Sequence, residues 1–518
     1  MNTTEFLTIA SAICPEKCAI VFEGCRRSFS ELNERVNRLG NALTDLGIKK
    51  GDRVAMLQVN TSQCVEVYFA VSKIGAIYVP LNFRAKGNEL IYMLNSSESN
   101  TILLGDRYVD LVTSIKPDLE TVKTFISLDD RHEGMLFYEE LILEGSPDDI
   151  FTDIADEDTT ILMYTAGTTG FPKGVMLSHN SFSIYVLENV SPADPESEER
   201  NILTVPLYHV AGIQAMMAAV YGGRTLVMER QFEPVEWMTL VQTEQANRAM
   251  MVPTMLKQLL DNPEFENHDL SSLKVITYGA APMPLEVIKK AVECFPGVNF
   301  INAFGQTETA STITTLSPED HRITGTPEEI NKKLKRLSSI GKPMSDIQMK
   351  IIDEDGKDLA QGEVGEIVAK GPRVMSGYWK DEEKTGKTID ENGWVHTGDM
   401  GYMDEDGYFF LSGRATDMII RAGENISPEE VEGVVLSHPA VDDAAVIGVP
   451  DEEWGELPVA IVVLRRGAKA TPEELMEYCR QNLASFKRPR SVYFVDELPR
   501  NTMGKILKKQ LREEYANR

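Results

Sequence analysis

The sequence predicts an α/β fold. A large N-terminal domain of two helix-covered, mostly parallel sheets with a small barrel-like section precedes a small α+β C-terminal domain. Apolar strand-like runs alternate with amphipathic helical stretches up to about residue 304, as in parallel sheets covered by helices. From about 340 to 412 the strands shorten and turns rich in Asp and Gly become frequent, which is typical of hairpins. Beyond Arg414, two capping sequences introduce helices between long apolar runs.

The first elements follow from apolar periodicity. A helix is predicted over 30–46, because apolar residues recur on one face and Ser30 can cap its start. The elements predicted after it are a strand at 53–57, a helix near 62–74, a strand at 76–80, a helix near 87–96 and a strand at 101–104. The same alternation recurs from 201 to 304.

The later elements follow from turn and capping chemistry. Asp-x-x-Gly turns end at Gly356, Gly393 and Gly407 and predict hairpins. Ser427 and Thr471 each precede Pro-Glu-Glu, and this pattern predicts the start of a helix. We therefore expect an N-terminal domain over 1–413 and a C-terminal domain over 417–518.

Composition and charge exclude several classes of protein. The 518 residues are 42% hydrophobic and 25% charged, as in globular proteins, and the net charge of -28 argues against wrapping nucleic acid. No apolar run approaches the roughly 20 residues that cross a bilayer, and no signal-peptide pattern opens the chain, so we expect a cytoplasmic protein. The segment 484–518 departs from this balance, with nine Lys/Arg against four Asp/Glu. These cations could pair with the main body or meet an anionic small molecule.

The segment from Tyr164 to Gly174 is the most informative motif. It reads Tyr-Thr-Ala-Gly-Thr-Thr-Gly-Phe-Pro-Lys-Gly, and its glycines, hydroxyls and single lysine suit a loop around phosphate oxygens. It is not a P-loop, because Pro172 precedes the lysine and Gly174 follows it. Alone, the pattern fits a phosphate loop or an ordinary surface turn.

Four further groups of residues carry candidate chemistry. His209 lies in an apolar segment, where a histidine is usually structural. The segments 278–284 and 302–309 each follow a predicted strand, at the end where open α/β sheets bind ligands. Asp399 follows a tight turn and could hold a ribose diol, whereas a terminal Gly-Lys such as Gly504-Lys505 is usually a solvated tail.

In this order and spacing, these segments resemble the adenylate-forming superfamily of acyl-CoA synthetases, luciferases and adenylation domains. The similarity runs from about residue 5 to 511 and is greatest to bacterial fatty-acyl or aryl acyl-CoA ligases. The resemblance implies that ATP activates a carboxylic acid to an acyl-adenylate, releasing pyrophosphate, and that the thiol of CoA then displaces AMP. Catalysis of this kind depends mainly on positioning and charge neutralisation.

The resemblance also implies roles for individual residues in the first step. Glu308 would hold Mg²⁺, Thr307 would reach the α-phosphate, and Asp399 with Arg414 would hold the ribose. Lys505 would bridge ribose and attacking carboxylate as the catalytic lysine, and His209 would gate the acyl pocket. The residues implied at the β- and γ-phosphates are Thr165, Thr168, Thr169 and Lys173. Those implied around adenine are Gly279, Ala280, Ala281, Asn302, Ala303 and Phe304.

For the second step, the resemblance implies that a mobile C-terminal domain turns about a hinge at 414–416. Thr416 departs from the Asp or Lys of many relatives, so the energetics of the hinge do not carry over. The residues implied along CoA are Arg421, Ala422, Gly423, Trp454, Phe486 and Arg488.

The acid is left open by the sequence. The expected lining is mostly small or apolar, which favours a medium- to long-chain fatty, aryl or alicyclic acid. Ala280 stands where many long-chain relatives have glycine, so medium-chain and aryl or alicyclic acids rank slightly first. The expected lining is Tyr185, His209, Val210, Ala211, Gln214, Ala280, Ile301, Gly305, Ala310 and Ser311. A stand-alone enzyme that loads a carrier protein, a luciferase-like oxidase and a homodimer are also left open.

Overall fold

The computed structural model describes residues 1–165, 172–414, 417–421, 424–451, 454–500 and 506–516. The helices of these ranges are, in chain order, α1 Glu5–Ile13, α2 Phe29–Asp45, α3 Ser62–Lys73, α4 Gly87–Ser97, α5 Val109–Ile115, α6 Tyr138–Glu144, α7 His179–Asn189, α8 Val210–Tyr221, α9 Pro234–Glu244, α10 Pro253–Leu260, α11 Leu285–Cys294, α12 Pro318–His321, α13 Pro327–Arg336, α14 Glu382–Thr388, α15 Pro428–Leu436, α16 Pro472–Asn482 and α17 Lys508–Tyr515.

The strands of the same ranges are β1 Cys18–Phe22, β2 Cys25–Ser28, β3 Arg53–Leu57, β4 Ile77–Pro80, β5 Thr101–Leu104, β6 Thr124–Ser127, β7 Leu136–Phe137, β8 Thr159–Thr165, β9 Lys173–Ser178, β10 Arg200–Leu203, β11 Thr225–Met228, β12 Arg248–Met251, β13 Val275–Gly279, β14 Asn299–Gln306, β15 Ser311–Leu316, β16 Lys342–Pro343, β17 Gln348–Ile352, β18 Gly365–Lys370, β19 Gly377–Tyr378, β20 Val395–Met403, β21 Phe409–Arg414, β22 Ile419–Arg421, β23 Glu424–Ile426, β24 Val441–Asp451, β25 Gly455–Leu464 and β26 Ser491–Phe494.

Two large sheets form the first part of the chain. Sheet one has the order β16-β15-β14-β13-β12-β10-β11-β1-β2, and sheet two has the order β19-β9-β8-β4-β3-β5-β6-β7. Neighbours from β14 to β1 and from β8 to β7 run parallel, and antiparallel pairs lie at the edges. The parallel arrangement predicted from the alternation is therefore confirmed.

A shared layer of helices fills the space between the two sheets. Val54 and Met56 of β3 join one buried cluster with residues of α1, α2, α3, α7, α8 and sheet one. Ala55 and Leu57 face the opposite way and pack with residues of α4 and α5. Because successive strand residues point to opposite faces, both faces of the sheet are buried, which suits parallel strands.

The start of helix α2 differs from the prediction. Ser28 caps the helix, since its hydroxyl accepts from the N–H of Glu31 at 3.2 Å and the Glu31 carboxylate accepts from the N–H of Ser28 at 2.7 Å. Ser30 was the wrong choice, because a capping box needs Glu or Gln three residues beyond the cap. The predicted caps at Ser427 and Thr471 are confirmed.

Two smaller sheets follow. Sheet three, β17-β18-β20-β21, is wholly antiparallel and forms the predicted hairpin-rich section. Sheet four contains β22 to β26 and packs with α15, α16 and α17 into the predicted smaller α+β unit. The boundary near 414–416 stays a prediction, since residues 415 and 416 lie outside the described ranges. Within those ranges, no helix combines the length and apolar character needed to span a bilayer.

A buried carboxyl at the end of β11 makes stability depend on pH. Glu229 is 1% exposed; one of its oxygens accepts from the N–H of Glu233 at 2.6 Å, and the other has no hydrogen-bond partner among the described residues. Burial is the main cause that raises the pKa of Glu229 from 4.5 to about 8. The carboxyl of Glu229 is therefore protonated in the folded protein at neutral pH.

Glu229→Gln should remove a loss of stability that the native protein shows as the pH rises from about 5 to about 8. Because the pKa of Glu229 is higher in the folded state, its contribution is intact below pH 4.5 and is lost as the pH rises to about 8. The variant should gain on the order of 3 kcal/mol relative to the native protein between pH 5 and pH 8. Urea unfolding at both values measures this. The control is Glu293→Gln at an exposed position, and parallel pH curves for Glu229→Gln and the native chain would contradict the prediction.

Candidate active site

The candidate site lies where the ends of several strands meet. Strands β13 and β14 are parallel neighbours, so the segments that follow them emerge at the same edge of sheet one. Tyr378 of β19 bonds Glu308, just beyond β14, and so brings the β8–β9 hairpin of sheet two to that edge. Ligands bind at such carboxyl ends in open α/β sheets. The structure therefore places three of the sequence motifs together.

The candidate phosphate loop is framed by a hairpin. Thr165 at the end of β8 pairs with Lys173 at the start of β9. Gly174 is in close contact at this point, because a Cβ there would lie 2.9 Å from Leu162 and its carbonyl accepts from the N–H of Trp379. Thr168 and Thr169 lie outside the described residues, so their implied phosphate contacts stay predictions.

Lys173 and Glu308 meet through an aromatic ring. The Lys173 ammonium lies 5.4 Å from the centre of the Tyr378 ring, and the Tyr378 hydroxyl donates to Glu308 at 2.9 Å. Burial and then the neighbouring ammonium of Lys384 lower the pKa of Lys173 to about 8, while Glu308 acts in the opposite direction. The predicted phosphate lysine and the predicted metal carboxylate thus share one neighbour.

Asp399 is held by residues from two sheets. Its carboxylate is 5% exposed and forms an ion pair with Arg414 at 2.6 Å. The side-chain amide of Gln306, at the end of β14, donates to Asp399 at 2.6 Å and to the carbonyl of Thr397 at 2.9 Å. The predicted ribose pair of Asp399 and Arg414 is therefore in contact, and Gln306 joins it to sheet one.

The residues predicted around adenine lie on β13, β14 and the segments that follow them. Gly279 and Ala303 are register partners, and a Cβ on Gly279 would lie 2.0 Å from the Ala303 carbonyl oxygen. Ala280 then turns the chain with a φ of 67°. Of the remaining predicted residues, Asn302 and Thr307 are buried, whereas Ala281 and Phe304 are half-buried.

His209 stands at the start of α8. It is half-buried, and its Nδ1 accepts from the N–H of Ala211 at 3.3 Å, which caps the helix. Further along α8, the Gln214 side chain lies 3.5 Å from the carbonyl of Ala310 and accepts from the Thr312 hydroxyl at 3.1 Å. Helix α8 therefore contacts the turn that follows Glu308.

A cationic and aromatic cleft lies in the C-terminal part. It has a volume of about 850 Å³ and is lined in part by Arg421, Trp454, Arg488 and Arg490. The guanidinium of Arg421 lies 5.2 Å from the centre of the Trp454 ring and donates to the carbonyl of Phe486 at 2.7 Å. Ala422, Gly423 and Lys505 lie outside the described residues.

Two family models match most of the chain. A family model described as "AMP-binding enzyme" matches residues 8–379, and one described as "AMP-binding enzyme C-terminal domain" matches residues 430–505. The chain belongs to the AMP-binding enzyme family. The predicted adenylate-forming resemblance and the predicted ligase class are thereby confirmed.

Three proteins illustrate the similarity of this AMP-binding enzyme to others. Feruloyl-CoA synthase of Amycolatopsis sp is 33% identical over 97% of this chain and 96% of its own length. Long-chain-fatty-acid–CoA ligase FadD13 of Mycobacterium tuberculosis (strain ATCC 25618 / H37Rv) is 32% identical over 95% of this chain and 93% of its own. The crystal structure of ATP-bound MatB from Rhodopseudomonas palustris is 29% identical, with a TM-score of 0.89 over 100% of this chain and 99% of that chain.

The described part of this AMP-binding enzyme contains no group of three or more His, Cys, Asp or Glu side chains that could hold a metal by themselves. Glu308 offers a carboxylate oxygen beside Lys173 and the phosphate hairpin. One carboxylate together with substrate phosphates is a common way to bind Mg²⁺. The donor set therefore fits a metal that arrives with a nucleotide.

The structure adds Gln306 to the candidate residues. The sequence offered one signal, since Gln306 lies inside the 302–309 segment, but glutamine has no distinctive chemistry there. Gln306 and Asp399 are 93 positions apart in the sequence, so their contact is visible only in the fold.

Replacing Gln306 with leucine should weaken AMP binding. The variant removes the amide that donates to the buried Asp399 carboxylate, and a hydrogen bond to a charged group contributes about 1.5–3 kcal/mol. We expect the Kd for AMP, measured by calorimetry, to rise about tenfold or more, in line with that range. Gln348→Leu, at the exposed first position of β17, is the matched control. Native-like affinity in Gln306→Leu would refute this role.

Proposed function

We propose that this enzyme is an AMP-forming acyl-CoA ligase that activates an apolar carboxylic acid with ATP and transfers the acyl group to CoA. One observation carries the proposal. Asp399, with its partners Arg414 and Gln306, lies at the same edge of sheet one as Glu308 and Lys173. A ribose acceptor and a phosphate cation lie on neighbouring elements, as a bound ATP requires.

In the first step, a carboxylate oxygen of the acid forms a bond to the α-phosphorus of ATP. The bond from that phosphorus to the bridging oxygen breaks, and pyrophosphate leaves. Both reactants are anions, so charge neutralisation is the main task of the protein. Lys173 binds the departing phosphates, and Asp399 binds the ribose. Lys505 binds the attacking carboxylate. Mg²⁺ held through Glu308 would neutralise phosphate charge.

In the second step, the thiol of CoA loses its proton to solvent and its sulfur bonds to the acyl carbon. The bond from that carbon to the phosphate oxygen breaks, and AMP leaves. The C-terminal cleft supports CoA as the acceptor, because guanidinium groups and the Trp454 ring suit the phosphates and adenine of a nucleotide. Ala422, Gly423, Phe486 and Arg488 complete the proposed path. A carrier protein remains the alternative acceptor, and the test below distinguishes the two.

The two steps use two arrangements of one chain. We propose a domain over 1–413, a hinge at 414–416 and a C-terminal domain over 417–518 that brings Lys505 or the CoA path to the site in turn. The ion pair of Arg414 with Asp399 supports this division, because it fastens the last residue of β21 to the large domain. Rotation beyond Arg414 then leaves the ribose site intact.

The charges near the acyl pocket support an uncharged tail. Arg373 is fully buried and lies 5.4 Å from the centre of the Tyr185 ring, but Asp346 accepts two of its hydrogen bonds. Arg224 and Arg248, the other cations that influence Tyr185, both pair with Glu199. Each of the three guanidinium groups therefore has a carboxylate partner within the protein, and Arg224 and Arg248 share theirs. An apolar chain or ring fits this wall better than a dicarboxylic acid.

Ala280 supports a short or compact acid. Its φ of 67° lies in the left-handed region, where glycine is less strained than alanine. The methyl group at this position narrows the space that a glycine would leave. We therefore place medium-chain fatty acids and aryl or alicyclic acids ahead of long-chain fatty acids.

Pyrophosphate release with a panel of carboxylic acids tests the function. We expect ATP-dependent release with medium-chain or aryl acids, and CoA consumption and AMP formation when CoA is present. Little turnover is expected with dicarboxylic acids of the same length. Coupled assays of pyrophosphate and free thiol measure both steps.

Two further results decide the details of that test. Lys505→Ala should lose most adenylation while keeping ATP binding; full adenylation in this variant would remove the lysine from the mechanism. If adenylate forms but CoA is never consumed, the acceptor is a carrier protein or another nucleophile, and the CoA-ligase proposal is wrong.

Ala280→Gly should shift the preference toward longer acids. Removal of the methyl group widens the pocket, and glycine relieves the left-handed backbone, so stability should not fall. We expect kcat/KM for a long-chain acid to rise by about fivefold relative to a medium-chain acid, since one methylene-sized change in a pocket alters selectivity by about 1–3 kcal/mol. Ala281→Gly, at the next position in the same segment, is the control. An unchanged ratio in Ala280→Gly would show that this methyl does not limit the tail.

A further inference from the structure

Two lysines lie together beside the phosphate hairpin. Lys173 begins β9, and its ammonium lies 5.4 Å from the centre of the Tyr378 ring. The backbone N–H of Tyr378 donates to the Thr385 hydroxyl of α14 at 2.9 Å, and Lys384 directly precedes Thr385. Tyr378 also pairs with Val175 of β9. Helix α14 is thereby held beside the hairpin, with Lys384 next to Lys173.

The two ammonium groups lie near each other, and neither forms an ion pair with a carboxylate of the described residues. Lys384 is close enough to contribute to the lowered pKa of Lys173, second only to burial. Among the described residues, no carboxylate lies within ion-pair distance of either ammonium, whereas Lys387, one turn along α14, pairs with Glu383 at 2.6 Å. Like charges in contact repel each other, and the repulsion grows as water is excluded.

The carboxylates near this lysine pair act on it from a distance and form their hydrogen bonds with other groups. Glu308 accepts a hydrogen bond from the Tyr378 hydroxyl. Asp381 accepts from the backbone N–H of Lys384 at 3.0 Å and so caps α14. Both lysines are only half-buried, so a small anion can approach them from solvent. An anion with several charged oxygens would relieve the repulsion and neutralise both ammonium groups.

We propose that Lys384 is a second pyrophosphate-binding residue, which acts with Lys173 on the β- and γ-phosphates of ATP as they depart. The inference rests on the proposed function, which supplies ATP as the nucleotide. Lys384 lies on α14, outside the glycine-rich motif. Pyrophosphate carries several negative charges, and two ammonium groups stabilise the charge that develops on the leaving group. AMP lacks these phosphates and does not need Lys384.

Binding of inorganic pyrophosphate and of AMP to Lys384→Met tests the proposal. Calorimetry of the full-length protein with excess Mg²⁺ should show a Kd for pyrophosphate raised about tenfold, the effect of losing one charged contact. The Kd for AMP should stay within twofold of the native value. Lys387→Met, with an exposed lysine on the same helix, is the matched control and should bind both ligands normally.

Each other outcome overturns the proposal. Native pyrophosphate affinity in Lys384→Met, or a native protein that binds no pyrophosphate, would remove the lysine from the site. Equal weakening of AMP and pyrophosphate would show a structural role, and equal weakening in Lys387→Met would show a general effect of charge. The measurement uses no carboxylic acid. Selective loss of pyrophosphate binding by a protein that activates no acid would therefore refute the proposed function while leaving this inference intact.

Discussion

The buried carboxylate of Asp399 constrains the candidate site more than any other group, because a buried charge must be paired where it stands. Its partners come from different parts of the fold: Arg414 lies on the neighbouring strand of sheet three, and Gln306 ends a strand of sheet one. Removal of either partner leaves part of a buried charge unsatisfied. The two sheets are therefore held in register at this point, and Glu308, two residues beyond Gln306, is positioned by the same contact.

Tyr378 extends this constraint to sheet two. Its strand pairs with β9, its hydroxyl bonds Glu308, and its ring lies beneath the Lys173 ammonium. Sheets one, two and three thus meet around a short path from Asp399 to Lys173. At one end of that path the Asp399 carboxylate can accept hydrogen bonds from hydroxyl groups, and at the other end the Lys173 ammonium can bind phosphates. A nucleotide is polarised in the same sense, with its neutral nucleoside at one end and its charged phosphates at the other.

Local patterns predicted most of the fold, and long-range contacts were the part they missed. Alternation gave the parallel sheets, and capping residues such as Thr471 gave helix starts within one or two positions. The sequence does contain a signal for Ser28 as the cap of α2, because Glu31 lies three residues after it. Gln306 lies inside a predicted motif but has no distinctive chemistry there, and Lys384 lies in none of the motifs; their significance arises from side chains on distant segments. The motif residues could be predicted, but their supporting neighbours required the fold.

The proposed phosphate site also offers an acidic protein a way to attract anionic substrates. The net charge is -28, yet local potential depends on which cations lack a partner. Lys380 and Lys387 pair with Glu98 and Glu383, and such exposed pairs add little to the field. Lys173 and Lys384 are held side by side while the carboxylates near them bond to other groups. Under the proposed role of Lys384, an anion that binds to both lysines relieves the repulsion between them. The proposal therefore implies that binding of a polyanion raises the stability of the fold.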